Sequence, residues 1–341
     1  MDGTAAESRS GVAELPHFVQ IEPVGQCNLR CRMCPIQFRT DGTPDHPAAF
    51  MDFDIFCRLV DQFPQLTELH LQGMGEPLMH PRFFDMVRYA VQRGIEVSTN
   101  SNLTLLSERR AVECVNSGLR RIHVSLDGAS AQTFEYIRVR AKFERVLRNI
   151  RRLTQAKESQ HSELPEIRLV AVAMRKNLHE LPELVRLAHE LHIDVLSVQH
   201  LCHDFGEESL PTKYQPMRAF VDSETLLNED PARVAHFFEA AGHLAGTLGL
   251  TLRLPNLAPR AQPQQRKRCD WPRRGAYLSF EGDAMPCCMV ATPDRINFGN
   301  MAKSSVAAVW NNSGYQSFRK QLDSDTPPDV CRTCALYNGT F

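Results

Sequence analysis

Three cysteines fall close together in one short stretch: Cys27, Cys31 and Cys34, spaced C-x3-C-x2-C. On a short loop this spacing lets three thiolates converge on one metal centre. A [4Fe–4S] cluster normally takes four thiolates, so three leave one iron open to an outside ligand. The alternatives are a zinc knuckle or three unrelated thiols. Zinc sites come as a Cys pair matched by a nearby Cys or His pair, and none follows this loop. Near the end of the chain Cys269, Cys287, Cys331 and Cys334 supply four more thiolates, enough to satisfy a structural zinc. Cys57 and Cys114 sit on apolar helical faces and read as core. Cys202, between His200 and His203, reads either as an ordinary loop thiol or as a hydrogen-atom donor.

The chain of 341 residues is 43% hydrophobic, has eleven cysteines and carries a formal net charge of −1. That is enough apolar material for one large domain or two smaller ones. The charge gives no bulk attraction to nucleic acid or acidic membranes, so a small or neutral substrate is expected and a nucleic-acid partner is not. The opening stretch from Met1 to His17 has neither a basic leader nor an apolar core, unlike a signal peptide. No apolar run is long enough to suggest a membrane span. Both point to the cytoplasm, where thiols stay reduced, so the cysteines are expected to serve metal rather than disulfides.

The elements that must position these residues alternate strand and helix. Residues 17–22 read as a first strand with the cysteine loop directly after it. Further strands are expected over 66–71, 95–99, 121–126, 167–174 and 195–199, with helices over 51–63, 81–93, 107–117, 131–137, 143–157 and 181–192. Six β/α units in series imply a parallel sheet with right-handed crossovers, two units short of a closed (β/α)8 barrel. Loops at the C-terminal ends of such strands are where parallel barrels place their chemistry. Residues 200–268 read as a loop rich in turn formers, a helix over 231–248, a short strand near 250–254 and a Pro/Gln/Arg linker. A β-hairpin turning at Gly282 and two short helices follow. The expected division is a disordered lead-in over 1–16, a barrel over 17–199, a connecting, substrate-choosing region over 200–268 and a terminal region over 269–341.

The cysteine spacing, with Gly73-Met74-Gly75-Glu76-Pro77 after the second strand, resembles the radical S-adenosylmethionine (SAM) superfamily. The likeness spans residues 18–199 and implies an α/β fold, a partial (β/α)6 TIM-type barrel. It implies that Cys27, Cys31 and Cys34 hold a [4Fe–4S] cluster whose open iron chelates SAM. By the same likeness Gly73 and Gly75 keep the backbone open beside the methionyl amino group, Gly75 and Glu76 take hydrogen bonds from it, and Ser125 lies by SAM. Met33 takes a position often aromatic in relatives, near adenine. Asn100 and Asp127 put short polar groups at the barrel mouth, suited to a ribose or a carboxylate. Arg138 matches an arginine that relatives aim at the SAM carboxylate, a bidentate pairing. Residues 139–142, Val-Arg-Ala-Lys, replace a glycine-rich turn and offer Arg140 as a substrate contact.

Cys269, Cys287, Cys331 and Cys334, with Gly282 five positions before Cys287, resemble the auxiliary-cluster region called SPASM in its short "twitch" form, which holds one further [4Fe–4S] cluster. Cys288 competes with Cys287, and the G-x4-C spacing favours Cys287. The resemblance therefore implies SAM, two clusters and a reducing flavodoxin or ferredoxin. SAM cleavage then gives a 5′-deoxyadenosyl radical that abstracts a substrate hydrogen, with an electron passing to the auxiliary cluster. The pattern is most similar to radical SAM dehydrogenases of aminocyclitol alcohols, so dehydrogenation of a small, sugar- or cyclitol-like substrate is expected. The stretch before the first strand is too short for a leader-peptide-binding domain, which weighs against a peptide substrate. Peptide modification and epimerisation with Cys202 as donor remain alternatives. His200, His203, Tyr214, Arg140 and Arg253 are candidate bases by position.

Overall fold

Each early strand sets a buried apolar residue beside a polar one, the period-two signature of a strand with two unlike faces. Val19, Ile21, Leu69, Leu71, Val97, Ile122 and Val124 are all essentially unexposed. Between them stand Gln20, His70, Ser98, Asn100, His123 and Ser125. The apolar face packs on helices, with about 2 kcal/mol for each fully buried aliphatic side chain. The opposite face lines a polar lumen.

The computed structural model describes residues 13–39, 49–201, 205–256, 269–290 and 292–339. In order, β1 (Phe18–Ile21), α1 (Phe53–Asp61), β2 (Glu68–Leu71), α2 (Phe83–Val91), β3 (Glu96–Ser101), α3 (Glu108–Asn116) and β4 (Arg121–Ser125) come first. Then follow α4 (Ala131–Ile137), α5 (Phe143–Ser159), β5 (Glu166–Ala173), α6 (Leu181–Glu190) and β6 (Val195–His200). The helices begin on side-chain caps where the sequence supplies them. Asp52 accepts from the amides of Asp54 and Ile55, Ser107 from Arg110 and Ser130 from Thr133, each cap contributing about 1 kcal/mol.

The remaining elements are α7 (Gln215–Glu224), α8 (Pro231–Leu248), β7 (Thr251–Arg253), α9 (Trp271–Arg274), β8 (Gly275–Leu278), β9 (Ala284–Met285), α10 (Val306–Trp310), α11 (Ser313–Leu322), α12 (Asp329–Arg332) and α13 (Ala335–Asn338). These nine strands form one sheet in the order β7-β6-β5-β4-β3-β2-β1-β8-β9. Every pairing is parallel except β8 with β9. The six-unit barrel is there, and β7 extends it as a seventh parallel strand. The expected hairpin is β8–β9, but β8 also pairs with β1, Phe18 standing opposite Glu68 on one side and Gly275 on the other. The terminal region thus continues the barrel sheet. Part of the segment read as loop is helix: α7 buries only Met217 and Val221, too weak an apolar stripe to stand out. Among the described residues no helix is long and apolar enough to cross a membrane.

Candidate active site

The loop after β1 carries Cys27, Cys31 and Cys34 to one cavity of about 210 Å³ at the C-terminal ends of the strands. Loop backbone and barrel hold each other: Arg30 N–H donates to Val139 O at 3.0 Å and Arg32 N–H to Ile137 O at 2.9 Å. Donors surround the sulfurs. Leu29 N–H lies 3.4 Å from Cys27 Sγ, Asn102 Nδ2 lies 3.7 Å from it, and Arg138 Nη1 lies 3.9 Å from Cys31 Sγ. Burial pushes the Cys34 thiol up to about 12 and raises Cys27 and Cys31 as well. The thiols therefore keep their protons at neutral pH until a metal displaces them.

Among the described residues no three His, Cys, Asp or Glu side chains close up tightly enough for a single metal ion. Tetrahedral zinc with bonds of about 2.3 Å needs sulfurs about 3.8 Å apart, whereas a cluster gives each thiolate its own iron. Three thiols on one cavity, with N–H donors beside two of them, fit the cluster.

Gly73, Met74, Gly75 and Glu76 line the same cavity. Their glycines answer a packing demand. A Cβ at Gly73 would meet the Glu22 side chain, and one at Gly75 would drive into the carbonyl oxygens of Val24 and Gln26. Glu22 is fully buried, accepts from Met74 N–H at 2.8 Å and pairs with Arg39 at 2.8 Å. The Glu76 carboxylate is engaged within the protein, by Ser101 Oγ at 2.6 Å, Asn102 N–H at 2.8 Å and Leu78 N–H at 3.1 Å. These bonds pin the end of β3 against the loop, with Glu76 still on the cavity wall.

Met33, Asn100, Ser125 and Arg138 line the cavity, and Asp127 does not. Asp127 is fully buried, accepts from Val172 N–H at 2.8 Å and pairs with Arg138 Nε at 2.7 Å. Burial alone would lower the Arg138 pKa; Asp127, then Cys31, outweigh it and hold the guanidinium charged.

Of the candidate bases, His200 reaches the cavity. Its Nε2 donates to Asn256 O at 2.8 Å, leaving Nδ1 as an acceptor, buried and with no hydrogen-bond partner among the described residues. Burial lowers its pKa, so the ring is neutral. Tyr214 is buried away from the cavity, stacked on Phe205 with its hydroxyl 3.2 Å from Asp294 Oδ1. Arg140 is exposed at a positive φ of 75° and Arg253 is exposed on the edge strand β7. None of these three lines the cavity. Cys202 and His203 lie outside the described residues.

A second, small cavity is lined by Cys269, Cys287, Cys331 and Cys334 together, with Cys288 outside it. The turn that brings the last pair round is closed by Cys334 N–H to Cys331 O at 3.3 Å. Burial pushes the Cys287 thiol up to about 12 and raises Cys269. Four thiols on one cavity fit a cluster with all four irons held by protein.

Residues 21–188 match the radical SAM superfamily and residues 269–335 match SPASM, an iron–sulfur cluster-binding domain. The chain is a radical SAM protein with a SPASM domain. Such a protein uses SAM, a [4Fe–4S] cluster in its first domain and auxiliary cluster chemistry in its second. A tungsten-containing aldehyde ferredoxin oxidoreductase cofactor-modifying protein of Pyrococcus furiosus is 27% identical, covering 94% of this chain and 87% of its own. The PqqA peptide cyclase of Rhodopseudomonas palustris is 24% identical over 97% of this chain and 83% of its own. Streptococcus suis SuiB, solved bound to precursor peptide SuiA, shares the fold with a TM-score of 0.68 at 16% identity, covering 96% of this chain and 71% of that one.

Within this radical SAM protein, sequence reasoning passed over Glu22 and Arg39. Glu22 carried a local signal, a lone carboxylate closing an apolar strand five positions before Cys27. Asn102 stands in the polar run that closes β3, and its contact with Cys27 joins two loops far apart in the chain.

Proposed function

We propose that this radical SAM protein carries out a two-electron oxidation of a peptide, started by hydrogen-atom abstraction. When bound, SAM and the two clusters supply a hydrogen-abstracting 5′-deoxyadenosyl radical and a one-electron acceptor. The residues of the chain do the rest. Cys27, Cys31 and Cys34 hold the first cluster, and Cys269, Cys287, Cys331 and Cys334 the auxiliary one. Arg138 offers its charge to the SAM carboxylate, while Asn100, Ser125 and Met33 shape the remaining wall.

His200 carries the reading of oxidation. Loss of two hydrogens from a substrate takes away one hydrogen atom, one electron and one proton, and the proton needs an acceptor. A neutral imidazole on the cavity wall, with Nδ1 buried and unpartnered among the described residues, suits that task.

The peptide is supported by the PqqA peptide cyclase relative, which matches over 97% of this chain. A cyclitol-like substrate would use the same residues, but that likeness favours a peptide. In this reading a flavodoxin or ferredoxin supplies the reducing electron.

The test is an anaerobic reaction of the reconstituted protein with SAM, reductant and the peptide encoded by a short reading frame beside its gene. The expected result is one 5′-deoxyadenosine per product and a peptide lighter by two hydrogens. His200→Gln should still cleave SAM while product formation falls about 10²–10⁴-fold. A peptide of unchanged mass, alongside oxidation of an added polyol, would overturn the peptide reading. Solvent deuterium in a product otherwise unchanged in mass would point instead to epimerisation.

A further inference from the structure

The wall of the second cavity includes one arginine, Arg295. Its side chain is only 5% exposed, and it is paired with an equally secluded carboxylate, Glu207, at 2%. Arg295 Nε donates to Glu207 Oε1 at 2.5 Å, and Nη1 donates to the carbonyl oxygens of Met289 and Val290, each at 3.2 Å. Those carbonyls follow directly on Cys287 and Cys288. The guanidinium carbon lies 4.7 Å from the Phe205 ring centroid, which closes off that side. Across the pair, Glu207 Oε2 is buried and has no hydrogen-bond partner among the described residues.

A cluster bound by four thiolates gains a further negative charge when reduced, and its potential follows net charge and hydrogen bonds to its sulfurs. In a secluded site such charge effects are screened far less than in water. A guanidinium on the wall favours the reduced form; a carboxylate behind it opposes that effect and fixes the guanidinium in place.

We propose that Arg295 raises the reduction potential of the auxiliary cluster and that Glu207 positions Arg295 and partly offsets its charge. This rests on the reading of Cys269, Cys287, Cys331 and Cys334 as that cluster's ligands. Arg295 acts as a tuning residue, outside the ligand set. Glu207 lies shortly beyond the end of β6, on the segment that leaves the barrel mouth beside His200. The potential of the acceptor is therefore set in part by a residue of the barrel-mouth segment.

The test uses the full chain with Cys27, Cys31 and Cys34 changed to Ala, so that only the auxiliary cluster is reconstituted. Its midpoint potential is read by an EPR-monitored redox titration, with iron counted in each sample. Iron at about four per chain is expected in this background; iron near zero would overturn the auxiliary-cluster reading itself. Arg295→Gln should move the potential negative and Glu207→Gln should move it positive, while Arg295→Lys should stay nearer the parent. A purely structural pair would give loss of iron or shifts of one sign. Should Arg295→Gln lose its cluster, Glu207→Gln and Arg295→Lys decide. Unmoved potentials at full iron, or shifts of the same sign for loss of either charge, would overturn the proposal.

Discussion

Asp127 holds Arg138 at 2.7 Å from behind, so that the arginine lines the cavity and the aspartate does not. The carboxylate is spent on orientation: one oxygen takes Val172 N–H and the other faces the guanidinium. Asp127→Asn should leave cluster iron unchanged while weakening SAM binding about 10–100-fold, the scale of supporting-residue losses at metal sites. Asp127→Ala should add a stability loss on the order of 3 kcal/mol by stranding a buried charge. Equilibrium SAM titration and thermal melts check the two effects separately.

Glycines of this chain divide by what a Cβ would meet. Gly75→Ala would collide with backbone carbonyls of the cysteine loop, so iron bound by the first cluster should fall along with SAM cleavage. Gly242, within α8, has open space around its Cβ position. Gly242→Ala should stabilise the fold by about 0.5–1 kcal/mol. Iron analysis reads the first outcome and denaturant unfolding the second.

The neighbouring thiols Cys287 and Cys288 should behave differently. Cys287 lines the second cavity and Cys288 does not. Cys287→Ser should lower iron from about eight to about four per chain, while Cys288→Ser should leave it near eight. Iron quantification after anaerobic reconstitution settles the assignment.

Acid should weaken the fold through the lumen histidines. Burial, aided by Arg121, lowers His70 to about 4, and burial with His70 nearby lowers His123 to about 3. An unfolded histidine titrates near 6.5. Above that pH both states are neutral and these groups do not affect stability. As pH falls from 6.5 towards 4 the unfolded chain takes up protons that the folded one refuses, so stability declines. The loss is on the order of 2–3 kcal/mol for His70. His70→Asn should flatten this slope in urea titrations at pH 7, 5.5 and 4.5.

The cysteine motif and the alternating strands were legible because each is written in contiguous sequence. The six early strands came from local apolar alternation, and the turn at Gly282 from a single residue, whose φ is 87°. What escaped was settled by distant partners. Tyr214 looked available in a polar loop, yet Phe205 and Asp294 enclose it. Asp127 follows the end of β4 like a ligand, and two distant partners, Val172 N–H and Arg138 on the far side of α4, turn it inward. The pairing of β8 with β1 sets Gly275 against Phe18 from opposite ends of the chain, and no local pattern announces it.

That pairing has a mechanical consequence. β1 leads into the first thiol loop, and β8 leads through its hairpin to Cys287. Adjacent strands in one hydrogen-bonded sheet cannot hinge against each other as two docked domains can. The two thiol sites are thus mounted on neighbouring rails of one frame.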